Sequence, residues 1–368
     1  MTRPRNICLL TPCLVPYDAI GNDVAQMRSA LMDSGHTVRV FAGDIHPACL
    51  SFADPVNLAP KELWRSSDNI LVYHHSTGWP QGEEILFSTQ NKLVLRYHNI
   101  TPARFFSPYS LPHTQSIEHG IESTRRIAKL PNMLFVGDST YNCEDLIALG
   151  ANPDDCRVLA PFHRTEELGR EMFDFVTLSQ YSGATVNILF VGGVKPNKGH
   201  ARATRVFAEY QRHFNDRSRL IFAGAIDERL SGYVNDLKTL ASHLGVADHV
   251  IFTGPVTGPQ LKSLYASADV FLCTSEHEGF CVPLVESLYF RVPIVAWGVT
   301  AVPETMGECS FVLEDWNESV FAAHIDRIVE DDQTAERLGT FGRRRYQEAF
   351  APRVLQQKLD GIMAEVTQ

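Results

Sequence analysis

Glu278-Gly279-Phe280-Cys281-Val282-Pro283-Leu284-Val285-Glu286 sets two carboxylates eight positions apart, with a glycine after the first and a proline between them. The apolar run Val270–Cys273 precedes it and Ile294–Ala296 follows it, both of strand length. A strand, a loop, a helix opened by Pro283 and another strand make one turn of a parallel α/β unit. In that setting the loop Gly279–Cys281 leads into a helix N-terminus, whose unpaired N–H groups and positive dipole end suit an anion. Glu278 lies beside those donors, and Glu286, one turn past Pro283, can reach the same cleft. Two carboxylates beside an anion site suit a hydroxyl-rich, phosphate-bearing ligand, since each oxygen pair accepts several hydroxyl protons. A pair of glutamates alone reads as a solvated helix face; the glycine, the proline and the flanking strands lend it chemistry.

Upstream, Phe190-Val191-Gly192-Gly193-Val194-Lys195-Pro196-Asn197-Lys198-Gly199-His200 runs a strand into a glycine-bearing turn and then a helix. Gly192 and Gly193 allow close backbone approach to a ligand. Lys198 puts a cation where a diphosphate would sit. Neither a Walker loop (GxxxxGK[ST]) nor a GxGxxG dinucleotide fingerprint follows this strand.

The same alternation fills the chain. Strands are expected at Asn6–Leu10, His36–Phe41, Ile70–Tyr73, Lys92–Tyr97, Met133–Val136 and Cys156–Ala160, with helices at Val24–Met32, Thr114–Leu130 and Asn142–Leu149. After an irregular stretch, Pro161–Thr185, the pattern restarts. Strands follow at Asn187–Val191, Leu220–Ala223, His249–Phe252, Val270–Cys273, Pro293–Ala296 and Phe311–Leu313; helices follow at His200–His213, Tyr233–Leu244, Leu261–Ala266 and Pro283–Tyr289. Two doubly wound α/β domains are therefore expected, over 1–163 and 184–345. A final helix after Pro352 carries Val354, Leu355, Leu359, Ile362, Met363 and Val366 on one face.

In the first half, Asp18-Ala19-Ile20-Gly21 opens a helix after the first strand, and Gly21 could bring backbone close to a ligand. His98 in Tyr97-His98-Asn99-Ile100-Thr101-Pro102 and His75 in Tyr73-His74-His75-Ser76 fall at strand carboxyl ends, the edge where open α/β sheets bind ligands. A histidine at such an end is as readily a satisfied core residue.

The 368 residues carry a net charge of −10 and a pI near 5.8, which excludes a nucleic-acid partner held through phosphates. The acidity is uneven: up to His163 there are 13 Lys and Arg against 16 Asp and Glu, leaving the larger excess to the remainder. The first half thus tolerates peripheral contact with an anionic membrane. With 44% hydrophobic residues, disorder is excluded. Apolar runs fall far short of the ~18 residues of a membrane span. Met1–Leu10 holds only Ile7–Leu10 as an apolar stretch, so a cytoplasmic protein is expected, at most resting on the inner face of a membrane. Eight cysteines form no CxxC pair and read as reduced thiols. Fourteen histidines show no HxxxH spacing and no Asp-x-Asp occurs, so no metal is expected.

Taken together, these motifs resemble those of the retaining glycosyltransferases of family 4, whose GT-B fold pairs two facing Rossmann-like domains. Glu278–Glu286 is similar to the family's Glu-x7-Glu element. Val250–Val256 with Leu261–Leu272, and Gly298–Glu304, resemble its flanks. Phe190–Gly199 resembles the diphosphate turn. Asp18–Asp23, Tyr97–Phe106 and Asp138–Gly150 resemble a bacterial subgroup associated with mannosyl or related hexosyl transfer in polysaccharide assembly. The resemblance implies that Glu278 bonds the donor sugar, with the N–H groups of Gly279, Phe280 and Cys281 in support. It implies that Glu286 holds the ribose, Lys198 neutralises the diphosphate beside Gly192 and Gly193, Val256 lies by the base, His98 contacts the sugar and Gly21 adjoins the diphosphate from the first domain. The final helix, 353–368, would return to the first domain. One departure stands out: Gly193 occupies the position where the family usually has arginine, and Lys195 is the nearest replacement.

The expected activity is transfer of a mannose- or glucose-type hexose from a GDP- or UDP-sugar to a saccharide or lipid-linked acceptor, with retention and without metal or other cofactor. Asp18, His75 and Arg104 are the acceptor-side candidates. Two other classes fit: a nucleotide-sugar-binding protein of weak turnover, suggested by Gly193, and a nucleotide-sugar epimerase of similar architecture. Donor hydrolysis, binding without turnover and an altered sugar on intact diphosphate distinguish the three.

Overall fold

Two parallel sheets organise the chain, in a computed structural model that describes residues 4–16 and 18–367. The start of the N-terminal stretch, residues 1–3, lies outside the described residues. The first unit comprises Met1–Ala103, Pro112–Arg164 and Ala351–Gln368. Its elements are β1 (Asn6–Leu14), α1 (Ala19–Asp33), β2 (Thr37–Ile45), β3 (Asp54–Pro55), β4 (Ile70–His75), α2 (Pro80–Ser88), β5 (Lys92–Tyr97), α3 (Leu111–Ile127), β6 (Met133–Gly137), α4 (Thr140–Ala148) and β7 (Cys156–Val158). The strand order is β3-β2-β1-β4-β5-β6-β7, with every neighbour parallel. Strands buried on both faces need near-continuous apolar sequence, and β4, Ile-Leu-Val-Tyr-His-His, is buried throughout.

The second unit comprises Arg104–Leu111 and Thr165–Phe350. It runs α5 (Thr165–Arg170), α6 (Phe175–Tyr181), β8 (Val186–Val191), α7 (His200–His213), β9 (Ser218–Ala223), α8 (Ser231–His243), β10 (Val250–Gly254), α9 (Gly258–Ser267), β11 (Val270–Cys273), α10 (Val282–Phe290), β12 (Ile294–Trp297), α11 (Val302–Met306), β13 (Phe311–Leu313), α12 (Glu318–Glu330) and α13 (Asp332–Ala349). Its strand order is β10-β9-β8-β11-β12-β13, again all parallel. Ile188, Phe190, Leu220, Phe222, Val270 and Leu272 meet Val206, Phe207, Phe321 and Ile325 in its core.

In each sheet the order reverses once, between β1 and β4 and between β8 and β11. Such a switch point leaves a crevice outside the strand carboxyl ends, where doubly wound sheets take ligands.

Three expectations about organisation are corrected. Pro161–Thr185 is not irregular but contains α5 and α6, and α6 packs on α9. The Asp174 N–H donates to Ser263 Oγ at 2.9 Å, and Lys262 Nζ donates to the carbonyls of Gly169 and Glu171 at 2.9 and 2.6 Å. The second unit therefore begins at Thr165 rather than 184 and ends at Phe350 rather than 345. Arg104–Leu111 also belongs to it, held by Tyr109, whose ring meets Tyr233 edge-on at 5.3 Å.

The last helix, α14 (Pro352–Thr367), belongs to the first unit. Its Leu355, Leu359, Ile362 and Met363 are buried. Gln356 Nε2 donates to the Ala30 carbonyl at 3.0 Å and Ser34 Oγ at 2.8 Å, and Arg157 Nε bonds Glu365 at 2.8 Å.

Candidate functional site

The loops after β8 and β11 lie side by side at the second sheet's switch point and are laced together. Thr274 Oγ1 donates to the Gly199 carbonyl at 2.9 Å, the Glu276 N–H to the Asn197 carbonyl at 2.8 Å, and Asn197 Nδ2 to the His277 carbonyl at 3.1 Å. Gly199, at φ 75°, caps α7 in a left-handed conformation, and a Cβ there would lie 2.0 Å from the Thr274 carbonyl oxygen. Only glycine satisfies both demands.

This lacing brings Lys198 to Glu278. The ammonium lies 2.7 Å from Oε1 and 2.8 Å from Oε2, with the carboxylate 6% exposed and the lysine side chain 24%. Burial works against the ammonium, but Glu278 beside it prevails and raises the Lys198 pKa above its usual value. Glu278 is fixed further by its N–H, which donates to Thr300 Oγ1 at 3.1 Å. Next to Lys198, His200 is wedged between Phe190 and Phe222 at 4.5 and 4.8 Å. Burial, assisted by Lys198, pushes its pKa down to about 3, so the ring is neutral.

Downstream, Phe280 turns its ring inward against Phe350 at 5.6 Å, anchoring the loop while its carbonyl accepts from Thr305 Oγ1 at 3.0 Å. Cys281 takes a left-handed conformation, φ 76°, and starts α10 without a side-chain cap. The first-turn N–H groups of a nine-residue helix thus have no capping side chain, which suits an anion. On α10, Glu286 accepts from Tyr265 Oη at 2.7 Å. Burial raises its pKa to about 7, against the opposing effect of that hydrogen bond.

Gly192 sits at φ 150°, while Gly193 has an ordinary φ and open surroundings: a Cβ would find only the Ala225 carbonyl at 3.6 Å and Lys195 Cε at 3.7 Å. Lys195 therefore lies beside the position where an arginine was expected. Val256 is half-buried in the β10–α9 turn.

The first-unit candidates stand differently. Gly21 lies inside α1, where a Cβ would meet the Val15 carbonyl at 2.5 Å, so the β1–α1 loop requires a glycine there. Asp18 caps that helix, accepting from the N–H groups of Ile20 and Gly21. His75 is fully buried, with Nε2 2.8 Å from Thr124 Oγ1, so an acceptor contact there is ruled out by packing. Arg104 is exposed and stacks on Phe105 at 4.9 Å, but it belongs to the second unit rather than to a first-domain loop.

His98 departs most from expectation. Its side chain is 3% exposed, Nδ1 lies 3.1 Å from Asp138 Oδ2 and Nε2 lies 3.0 Å from His74 Nδ1. Both ring nitrogens are engaged, and the imidazole offers no free polar atom to a sugar. Around it, Arg96 reaches Asp23 Oδ2 at 3.0 Å, Asp138 at 2.7 Å and the Leu159 carbonyl at 2.8 Å, while Asp23 Oδ1 accepts the Phe162 N–H at 2.7 Å. Local spacing does not reveal this cluster, because Asp23, His74, Arg96, His98 and Asp138 are spread from α1 to the residue after β6 and meet only through the fold.

Comparison with known proteins agrees with this architecture. Residues 183–345 match the family model of glycosyl transferases group 1. D-inositol 3-phosphate glycosyltransferase of Acidothermus cellulolyticus is 32% identical over 51% of this chain and 43% of its own. A GDP-mannose-dependent alpha-(1-6)-phosphatidylinositol monomannoside mannosyltransferase of Mycolicibacterium smegmatis is 29% identical over 40% of each chain. The alignments thus span less than half the length of these relatives. HepE of Anabaena, solved in complex with UDP and glucose, superposes with a TM-score of 0.77 at 16% identity over 98% of this chain and all of its own. Sucrose-phosphate synthase from Thermosynechococcus elongatus gives 0.76 at 16% identity over 98% and 99%. At such identities the likeness establishes the fold, that of the GT-B glycosyltransferases. The chain accordingly carries, over residues 183–345, a glycosyl transferases group 1 domain.

Proposed function

We propose that this chain is a retaining glycosyltransferase of family 4 that moves a hexose from a GDP- or UDP-sugar to a saccharide or lipid-linked acceptor. The observation that carries the reading is the Lys198–Glu278 pair at the second sheet's switch point, beside the start of α10. Glu278 accepts donor-sugar hydroxyls. Lys198 keeps its charge beside Glu278, and its third N–H donor serves a diphosphate oxygen once two are spent on Glu278. Glu286 accepts from ribose hydroxyls when ionised.

During transfer the bond from the anomeric carbon to the diphosphate oxygen breaks, and a bond from that carbon to the acceptor hydroxyl forms on the same face. The acceptor proton passes to a donor phosphate oxygen. Negative charge grows on the leaving diphosphate, where Lys198 and the α10 N-terminus are already oriented; preorganised charge of this kind lowers the barrier. Those two features supply the neutralisation without a metal at the diphosphate. A cytoplasmic location suits a user of sugar nucleotides, and among the described residues no helix is long and apolar enough to cross a membrane. Gly193 favours a second reading, a binder with weak turnover.

A panel of UDP- and GDP-hexoses tested for thermal stabilisation addresses the reading. A cognate donor at 100 times its Kd adds about 2.7 kcal/mol, while the matching free hexose adds nothing. Absence of stabilisation by any nucleoside diphosphate or its sugar contradicts it.

A further inference from the structure

We propose that Thr300 is a positioning residue for the reaction: its hydroxyl anchors the backbone of Glu278 and so fixes where that carboxylate meets the donor sugar. The proposal rests on the transferase reading above and adds a residue to it. Thr300 stands between β12 and α11 in a left-handed conformation, φ 52°. The other non-glycine residues with positive φ are Asn99, Asn132, Cys281 and Arg291, so among the described residues Thr300 is the only β-branched one. Asparagine visits that region readily, whereas a side chain branched at Cβ is crowded there. Glycine would adopt it freely. Strain of this kind persists only where its surroundings hold it, and it gathers at functional sites.

The strained residue supplies what glycine cannot. Its Oγ1 accepts the Glu278 N–H at 3.1 Å, and Glu278 is buried, where an unpaired donor is costly. Five residues on, Thr305 Oγ1 donates to the Phe280 carbonyl at 3.0 Å. The two threonines thus grip the loop 278–280 at both ends. Their segment is braced from α13, where Arg345 Nη2 donates to the Glu304 carbonyl at 2.7 Å and Nε to the Thr305 carbonyl at 3.3 Å. Lys198 holds the Glu278 side chain, but its stem is flexible and its donors are shared with the diphosphate. The Thr300 bond goes to the main chain, so it is independent of how Lys198 divides its donors. A misplacement of about 1 Å in a group that orients substrate is enough to slow catalysis about 10²-fold.

The test compares the full chain with Thr300→Ser, Thr300→Val and Thr300→Gly, reading donor turnover, affinity for UDP and GDP alone, and melting temperature. Thr300→Val should lower kcat about 10- to 100-fold, with affinity for the bare nucleoside diphosphate unchanged because Lys198 and the start of α10 are intact. Thr300→Ser, which keeps the hydroxyl, should restore turnover. Thr300→Gly, relieved of strain, should melt above Thr300→Val yet be as slow, a split that a purely structural role does not produce. If Thr300→Val misfolds by circular dichroism, Thr300→Gly decides. Wild-type kcat in folded Thr300→Gly overturns the proposal. If wild type itself turns over no sugar nucleotide, the transferase reading fails separately, and amide hydrogen exchange over residues 276–281 tests the anchor. Faster exchange there in Thr300→Gly than in Thr300→Ser upholds it, and equal exchange overturns it.

Discussion

Lys198 Nζ lies 2.7 and 2.8 Å from the two oxygens of Glu278, eighty residues away in sequence, because β8 and β11 are neighbours in the sheet. The pair joins the two loops that frame the switch point. Lys198→Ala should lower turnover about 10²–10³-fold, the usual loss when one preorganised charge stabiliser is removed. Lys198→Arg should recover only part, since a planar fork does not replace a compact ammonium. Steady-state kinetics checks this, and an unchanged kcat in Lys198→Ala removes it from the chemistry.

Glu286 gives a pH dependence with a defined sign. Its pKa is raised by burial to about 7, and only the ionised form accepts from both hydroxyls of a ribose. Donor affinity should therefore rise as pH increases through about 7, where a normal glutamate would already be fully ionised. The folding linkage runs the other way. The folded state holds this proton more tightly than the unfolded chain, so the stability it contributes is full below about 4.5 and lost as pH rises to about 7. Calorimetry from pH 6 to about 8 on wild type and Glu286→Gln should show the affinity trend only in the former.

Gly193 has room for a side chain and no positive φ. Gly193→Arg should fold and bind a nucleoside diphosphate about tenfold tighter, the ~1.5 kcal/mol of a charge-assisted hydrogen bond. Lys195→Ala in the wild-type background should weaken binding, and in the Gly193→Arg background should matter less. Equal affinity for Gly193→Arg and wild type contradicts a diphosphate at this turn.

Arg96 is fully buried between Asp23 and Asp138. Arg96→Met should cost about 3–5 kcal/mol, since it strands two buried carboxylates. The exposed pair Arg344–Glu348 serves as control, with Arg344→Ala within about 0.5 kcal/mol of wild type. Urea midpoints compare the two.

Much of the architecture was legible because fully buried parallel strands need uninterrupted apolar residues. Ile70–Tyr73 and Val270–Cys273 stand out for that reason, and His200–His213 shows the helical period. The long α13 escaped notice because Arg337, Arg343, Arg344, Arg345 and Glu348 dominate it and only Leu338, Gly339, Gly342 and Tyr346 are buried. Phe175–Tyr181 was hidden by its exposed Phe175 and Val176. In the candidate site, Glu278, Lys198 and Gly199 were readable from local spacing, since each sits next to a strand end. The engagement of His98 was not, for it depends on side chains brought by α1, β4 and the end of β6.

The central claim, that the Lys198–Glu278 pair grips an activated sugar, is tested most directly by nucleoside diphosphate release from a panel of UDP- and GDP-hexoses, comparing wild type with folded Glu278→Gln. One donor should be turned over by wild type, slowly to water and faster with acceptor, and at least about 100-fold slower by the variant. Equal release by the two proteins would contradict the account.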